Sequence, residues 1–170
     1  MRKILSATLA ASVLAAGAAQ AANPTVTTTF QVSATVQPNC TTSATALGFG
    51  NYTPGNGAVT ANSTITVNCT KSTGYTIALN PGSTTGDAYT QRLMTSGGAA
   101  TLQYNLYTTA ALTTVFGDGA TTATATDAGT GTGMANALQY TVYGQLPDNA
   151  TNQASTPGTY TDTVTVTVTY

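Results

Sequence analysis

The sequence predicts an all-β protein whose strands form an antiparallel β-sandwich. Segments in which every second residue is apolar recur after residue 25, and this period is typical of half-buried strands. Clusters of Pro, Gly and Asn separate the segments and indicate turns. Helix-favouring runs of Leu, Glu and Lys are missing after the N-terminal stretch. About seven strand segments at intervals of roughly 10–20 residues match a sandwich of two sheets.

The N-terminal stretch, residues 1–21, is predicted to be a secretory signal peptide. Arg2 and Lys3 form its charged region, and residues 4–16 form an apolar region too short to anchor the chain in a bilayer. The sequence Ala19-Gln-Ala21 fits the rule of small residues at a cleavage site. We therefore expect an exported mature chain that begins at Ala22 and does not insert into the membrane.

Residues 26–36 form the first alternating segment. Every second residue of this segment lies on one face, and the first four of them are Val26, Thr28, Phe30 and Val32. At 11 residues the segment exceeds the usual strand length of about five or six residues. This length favours a division of the segment between two parts of the chain. Residues 22–33 would form an N-terminal extension, and a domain over residues 34–170 would begin with its first strand. One ordinary long first strand is the alternative.

Further strands are predicted in the middle of the chain, over residues 47–52, 63–69, 74–80, 102–107, 115–116 and 138–146. Residues 117–133 are rich in Gly, Ala and Thr, which predicts a flexible loop. No helix is predicted in the mature chain.

The last segment alternates without a break as far as the C-terminal residue. One face carries only large apolar side chains, Val164, Val166, Val168 and Tyr170, whereas the other carries only threonine. An exposed strand at a sheet edge recruits other chains unless something covers it. Because strand-forming segments stand near both ends of the chain, we expect the protein to polymerise through its edges.

The chain has two cysteines, Cys40 and Cys69. In an oxidising compartment a lone pair of cysteines predicts a structural disulfide. The alternatives are metal binding and redox chemistry. Metal binding lacks partner ligands, since there is no histidine and no third cysteine, and the two cysteines do not have the C-x-x-C spacing of redox sites.

The charge inventory argues against several functions. After residue 21 the chain has two cations, Lys71 and Arg92, and five aspartates, which gives a net charge of −3. Nucleic-acid binding is not expected, because it requires clustered Lys and Arg. An enzyme is not expected either, because acid–base chemistry would fall to the aspartates alone and no paired carboxylates are evident.

Two features of the sequence are compatible with a binding function. Asp118, which lies between two glycines, could be a calcium ligand, but a single aspartate in this setting is more typical of a turn. We therefore expect no metal and no cofactor. The nine tyrosines could form a carbohydrate-binding platform. Most of them lie in strand registers that face the core, so packing is the favoured role, and a carbohydrate-binding surface module remains an alternative.

Several motifs resemble those of the spore coat protein U domain family, which includes the subunits of archaic chaperone–usher pili. They are Leu102-Gln-Tyr-Asn-Leu-Tyr107, Phe116-Gly-Asp-Gly119, Val142-Tyr-Gly-Gln-Leu-Pro147 and Pro157-Gly-Thr-Tyr-Thr-Asp-Thr-Val164. The order and spacing of these motifs, together with the signal peptide and the two cysteines, extend the resemblance over the mature chain. It implies an incomplete immunoglobulin-like sandwich that donor-strand exchange completes.

The resemblance also implies partners and residue roles. Val26, Thr28, Phe30 and Val32 would form the donor strand that enters a neighbouring subunit. Val164, Val166, Val168 and Tyr170 would border the acceptor groove, along which a periplasmic chaperone binds before an outer-membrane usher exchanges it for the next subunit. The implied function is a surface fimbria in adhesion and biofilm formation, built from copies of this chain or homologous pilins. The alternative within the family is a secreted spore-coat or matrix protein.

Overall fold

The computed structural model describes residues 23–170, so the predicted signal peptide over residues 1–21 lies outside the described residues. The chain divides into two units at the boundary between Thr35 and Val36. No helix among the described residues is long and apolar enough to cross a membrane.

The described residues of the N-terminal unit, 23–35, are assigned to neither helix nor strand. Its large apolar side chains are exposed, Val26 by 98%, Phe30 by 87% and Val32 by 83%. The prediction of a strand here is wrong for the single chain, because strands form by pairing with a neighbouring strand. The first strand of the folded unit begins at Cys40 rather than at residue 34.

The folded unit contains ten strands and one turn of helix. They are β1 (Cys40–Ala44), β2 (Val59–Cys69), β3 (Gly74–Leu79), β4 (Arg92–Thr95), β5 (Thr101–Tyr107), β6 (Val115–Phe116), β7 (Thr124–Ala125), β8 (Asp127–Thr130), β9 (Leu138–Leu146), α1 (Ala150–Gln153) and β10 (Val166–Thr169).

The strands form two sheets with the hydrophobic core between them. The first sheet has the order β1-β2-β9-β5-β6-β7, with β4 also paired to β5, and the second has the order β10-β3-β8. Alternation along the strands builds the core, since Ile65, Val67 and Cys69 of β2 are buried, as are Tyr75, Ile77 and Leu79 of β3. All pairings are antiparallel except that of β6 with β7. The predicted antiparallel sandwich is confirmed.

Six strands have the chain order and sheet positions of strands A to F in an immunoglobulin-like sandwich. β1, β2, β9 and β5 are neighbours as A, B, E and D are, and β3 pairs with β10 as C pairs with F. Strand G, which would pair with F, has no counterpart among the described residues. One edge of β10 is therefore free, and the sandwich is incomplete.

The structure differs from the predicted elements at several points. Residues 47–52 form no strand, the first strand β1 lies further along the chain than predicted, and β4 was not predicted. The segment predicted as a flexible loop, 117–133, contains β7 and β8. Its small residues have a packing role, since a Cβ on Gly129 would collide with the hydroxyls of Tyr75 and Tyr140. The one-turn helix α1 is capped by Asn149, whose side chain accepts a hydrogen bond from the Asn152 amide.

Candidate functional site

An open cleft runs along the side of the folded unit where strand G is missing. Its volume is about 400 Å³. The end of β1 and residues 45–49 form one wall, and residues 160–166 form the other. The floor consists of core side chains from both sheets, among them Ile65, Leu79, Tyr104, Leu106 and Val142. The hydrophobic core is thus open to the outside here, and we call this opening the edge cleft.

The final strand supplies the apolar side of one wall. Val164, Val166 and Val168 contact the core cluster and are half-buried, whereas the threonines between them are exposed. β10 pairs with β3 through the register Val166 to Leu79 and Val168 to Ile77, which leaves its other edge unpaired. Val164 and Val166 line the edge cleft. Tyr170 lies beyond the strand and is 57% exposed.

The segment before β10 passes from one sheet to the other. Thr161 exchanges two backbone hydrogen bonds of 3.0 Å with Thr95 at the end of β4. Four residues later, Thr165 accepts a 3.1 Å hydrogen bond from the Asn80 backbone amide and donates its own amide to Asn80 Oδ1 at 2.7 Å. Both ends of this crossing are therefore fixed by hydrogen bonds, one to each sheet.

Asp162 occupies the crossing and also lines the edge cleft. Its Oδ2 accepts a 2.6 Å hydrogen bond from the Tyr104 hydroxyl. Its Oδ1 accepts hydrogen bonds from the Ser83 amide at 3.0 Å, the Ser83 hydroxyl at 2.9 Å and the Thr84 hydroxyl at 3.2 Å. Burial alone would raise the pKa of Asp162, but the hydrogen bonds from Tyr104 and Ser83 outweigh it and hold the pKa below its ordinary value. Burial, followed by the bond to Asp162, raises the pKa of Tyr104.

A second carboxylate, that of Asp87, stands beside Asp162. Both converge on Gly82, where an added Cβ would collide with one oxygen of each. This pair is not evident in the sequence, because the two residues meet only where the β3–β4 connection folds back to the crossing. Asp87 accepts hydrogen bonds from the Thr84 amide at 2.6 Å and the Leu93 amide at 2.5 Å. All four carboxylate oxygens thus have protein donors, and the pair joins the β3–β4 connection to the crossing.

Sequence reasoning missed Arg92, the first residue of β4. Its side chain is fully buried and donates hydrogen bonds to Asn105 Oδ1 at 2.8 Å and to the carbonyls of Phe116, Asn80 and Tyr89 at 2.7, 3.0 and 3.3 Å. Burial lowers the pKa of this guanidinium. One available signal was its scarcity, since Arg92 is one of only two cations after residue 21.

The predicted disulfide between Cys40 and Cys69 is present, with the two Cα atoms 4.1 Å apart. The two residues stand opposite each other in the β1–β2 register. The disulfide therefore fastens the start of β1, the strand whose end forms a wall of the edge cleft.

Within residues 23–170, no group of three or more His, Cys, Asp or Glu side chains is arranged to hold a metal ion. Asp118, weighed above as a calcium ligand, accepts hydrogen bonds from the amides of Ala120 and Thr121 at 3.1 and 2.8 Å and from the Thr124 hydroxyl at 2.9 Å. These bonds, that of the Thr121 amide foremost, lower the pKa of Asp118. The side chain closes a turn that leads into β7.

The residues predicted to form a donor strand lie in the N-terminal unit. Val26, Thr28, Phe30 and Val32 are all exposed there. Their role stays a prediction.

Comparison with known proteins identifies a family, and solved structures with a similar fold are found as well. A family model described as the Spore Coat Protein U domain matches residues 26–167. A solved structure, the CsuC–CsuE chaperone–tip adhesion subunit pre-assembly complex from archaic chaperone–usher Csu pili of Acinetobacter baumannii, superimposes with a TM-score of 0.57 at 23% identity. The alignment covers 80% of this chain but only 41% of that chain. No curated protein matches.

Proposed function

The chain belongs to the Spore Coat Protein U domain family, and on that basis we propose that it is a structural subunit of an archaic chaperone–usher pilus that polymerises by donor-strand complementation. The observation that carries the proposal is the edge cleft, which opens the core where strand G of the sandwich is missing. A strand from another copy would supply main-chain hydrogen bonds to the free edge of β10 and would place every second side chain in the cleft.

The N-terminal unit has the chemistry of such a strand. Its segment 26–32 alternates apolar and polar residues and is exposed in the single chain. Seven residues in a strand span about 20–23 Å. The free edge belongs to β10 (Val166–Thr169), and around it residues 163–169 alternate in the same way, with half-buried valines and exposed threonines. An exposed apolar segment and an apolar cleft bordered by a free strand edge therefore occur in one chain, and the segment and that edge share a period of two.

Phe30 is the proposed anchor of the donor strand. It is the largest side chain of the segment and is 87% exposed in the single chain. Moving such a side chain from water into the cleft would contribute about 1.5–3 kcal/mol. Val26 and Val32, which are 98% and 83% exposed, would contribute in the same way on either side of it. Thr28 would occupy the position between Val26 and Phe30.

We extend the proposal to the partners and the location. Before assembly, a periplasmic chaperone would cover the edge cleft and the free edge of β10, with Tyr170 at the end of that contact. An outer-membrane usher would then replace the chaperone with the segment 26–32 of the next subunit. This route requires export by the signal peptide over residues 1–21 and ends in a fimbria at the cell surface, which would serve adhesion and biofilm formation.

The proposal is tested with the mature chain and a synthetic peptide of residues 24–36. The chain alone should form multimers that survive SDS and dissociate on heating, and excess peptide should shorten them by filling free clefts. A peptide with the same composition in scrambled order is the control and should have no effect. Electron microscopy of cells with and without the gene should show surface fibres that depend on it. Unchanged fibres, together with localisation to a spore coat, would instead favour the coat-protein alternative.

A further inference from the structure

Asp162 joins three parts of the folded unit at the rim of the edge cleft. Its own backbone belongs to the crossing between the two sheets, between Thr161 and Thr165, which hydrogen-bond to Thr95 and Asn80. Its carboxylate receives the Ser83 amide and hydroxyl from the β3–β4 connection. The same carboxylate receives the Tyr104 hydroxyl from β5, at the floor of the cleft. One side chain thus connects a wall of the cleft to its floor.

The Tyr104 ring carries this connection across the cleft. The side chain is 6% exposed and its ring meets Phe49 edge to face, with the ring centroids 6.1 Å apart. Phe49 lies in the opposite wall, and all three side chains line the cleft. The distance between the two walls and the space above the floor therefore depend on where Tyr104 is held. Packing in the core holds the ring, and the 2.6 Å bond from its hydroxyl to Asp162 fixes the end of the side chain.

We propose that Asp162 is a positioning residue of the edge cleft: by fixing the Tyr104 ring and the crossing of the chain, it sets the size of the cleft and so selects the side chain that enters. This inference rests on the proposed function, since it concerns the strand that occupies the cleft. It assigns to Asp162 a role in choosing between donor strands, beyond a contribution to stability.

A second tyrosine–aspartate pair in the same fold provides a matched control. The Tyr52 hydroxyl donates to Asp148 Oδ1 at 2.5 Å, and the Gly55 and Gly57 amides donate to the same carboxylate at 3.1 and 2.8 Å. This pair has the chemistry of the Tyr104–Asp162 pair, but neither residue lines the edge cleft. A loss of stability alone should follow from Asp148→Asn, whereas Asp162→Asn should also alter donor selection.

The experiment measures dissociation of labelled peptides of residues 24–36 from the full mature chain. That chain carries Phe30→Asp so that its own segment does not compete. Peptides with Phe, Leu or Ala at position 30 are compared. With no further change, the chain should retain the Phe peptide longest. Asp162→Asn and Tyr104→Phe should each release it about tenfold faster or more, since the first removes the charge from the Tyr104–Asp162 bond and the second removes the bond itself. Both should also narrow the preference for Phe over Leu.

Combining the two changes should narrow the Phe-over-Leu preference little beyond either change alone, because both act on the bond between Tyr104 and Asp162. Asp148→Asn should leave the Phe-over-Leu preference unchanged. If Asp162→Asn fails to fold, Tyr104→Phe decides, because it keeps the ring and removes only the hydroxyl. An unchanged preference in the variants, beside a lower melting temperature, would overturn the inference. If no peptide binds even without these changes, the proposed function itself fails, and the inference fails with it.

Discussion

Cys40 and Cys69 stand opposite each other on β1 and β2, and their disulfide joins the edge strand to its single neighbour in the sheet. The pairing continues beyond the bridge, where the Thr70 amide donates to the Asn39 carbonyl at 2.9 Å. The other residues of β1, from Thr41 to Ala44, are exposed and bury little surface of their own. The position of β1 beside the cleft therefore depends on backbone pairing and on the covalent bond.

Replacing both cysteines with serine should lower the free energy of unfolding by about 3–4 kcal/mol, the chain-entropy value for a loop of this length. Urea unfolding of the oxidised protein and of the double variant measures the difference. Mass spectrometry of the oxidised protein should find no alkylatable thiol. Two free thiols in folded protein, or a difference below about 1 kcal/mol, would contradict this account.

Arg92→Met should destabilise the folded unit by about 3 kcal/mol or more, because the change leaves buried acceptors without a donor. These acceptors are the Asn105 side chain and the carbonyls of Asn80, Phe116 and Tyr89. Lys71→Met is the matched control, since Lys71 is the other cation of the described chain and is exposed. It should change stability by less than about 0.5 kcal/mol. Equal effects of the two changes would show that the Arg92 network contributes nothing specific.

The contrast between these two cations shows what could be predicted from the sequence. Alternation identified most of the core strands, because burial on one face leaves a period of two in the residues themselves. It gave no distinction between Arg92 and Lys71, because that distinction depends on which carbonyls the fold brings together. Segment 26–36 alternates as clearly as β2 does but lacks a partner in the single chain. The period of two indicates that a segment can form a strand, but the segment forms one only when it pairs with a neighbouring strand.

The residues of the candidate site likewise fall into those that alternation predicts and those that only the fold brings together. The valines of the last strand could be placed at an apolar wall from the sequence, because their register follows from alternation. In the sequence, Asp162 stands before the last alternating segment and Asp87 stands between Gly86 and Ala88, so no pattern predicts that the two meet. Their convergence at Gly82 results from the path of the β3–β4 connection. Segment 117–133 was predicted to be a flexible loop because it is rich in small residues. Close packing also requires small residues, so composition alone does not separate the two cases.

Asp148 should make stability depend on pH at the acid end. The hydrogen bond from the Tyr52 side chain, followed by those from Gly55 and Gly57, lowers the pKa of Asp148 to about 2. In the unfolded chain an aspartate has a pKa of about 3.9. A pKa lowered by folding stabilises the protein above the unfolded value, and this contribution is lost as the pH falls through the folded value. The difference in melting temperature between the wild type and Asp148→Asn should therefore shrink between about pH 4 and pH 2.

The same bond predicts an effect at the alkaline end. Burial, followed by the bond to Asp148, raises the pKa of Tyr52 to about 12. A pKa raised by folding acts on stability in the opposite direction. The stabilisation from Tyr52 is complete below the unfolded pKa of about 10 and is lost as the pH rises towards the folded pKa. In Tyr52→Phe, the melting temperature should therefore fall less steeply at alkaline pH than in the wild type. If the melting temperature of the two variants depended on pH as that of the wild type does, at both the acid and the alkaline end, the Tyr52–Asp148 bond would be absent in solution.

Phe30→Asp tests the donor strand. It would place an unpaired carboxylate in the apolar cleft of the neighbouring subunit, and burying such a charge is so costly that the strand would stay out. The variant should fold and accumulate as a soluble complex with its chaperone, while the multimers that survive SDS and dissociate on heating disappear. Gel electrophoresis of unheated and heated samples measures this loss.

Two control variants distinguish a failure of strand insertion from a general effect of charge and from a failure to fold. Thr29→Asp adds the same charge to the adjacent residue, which alternation directs away from the cleft, so polymerisation should persist. Val166→Asp places the charge in β10, where Val166 contacts the core of its own subunit, and should abolish the folded chaperone complex as well. The donor interpretation requires all three phenotypes to differ. If Phe30→Asp prevented folding as completely as Val166→Asp does, Phe30 would belong to the sandwich of its own chain. If Thr29→Asp blocked assembly equally, added charge rather than occupation of the cleft would be the cause.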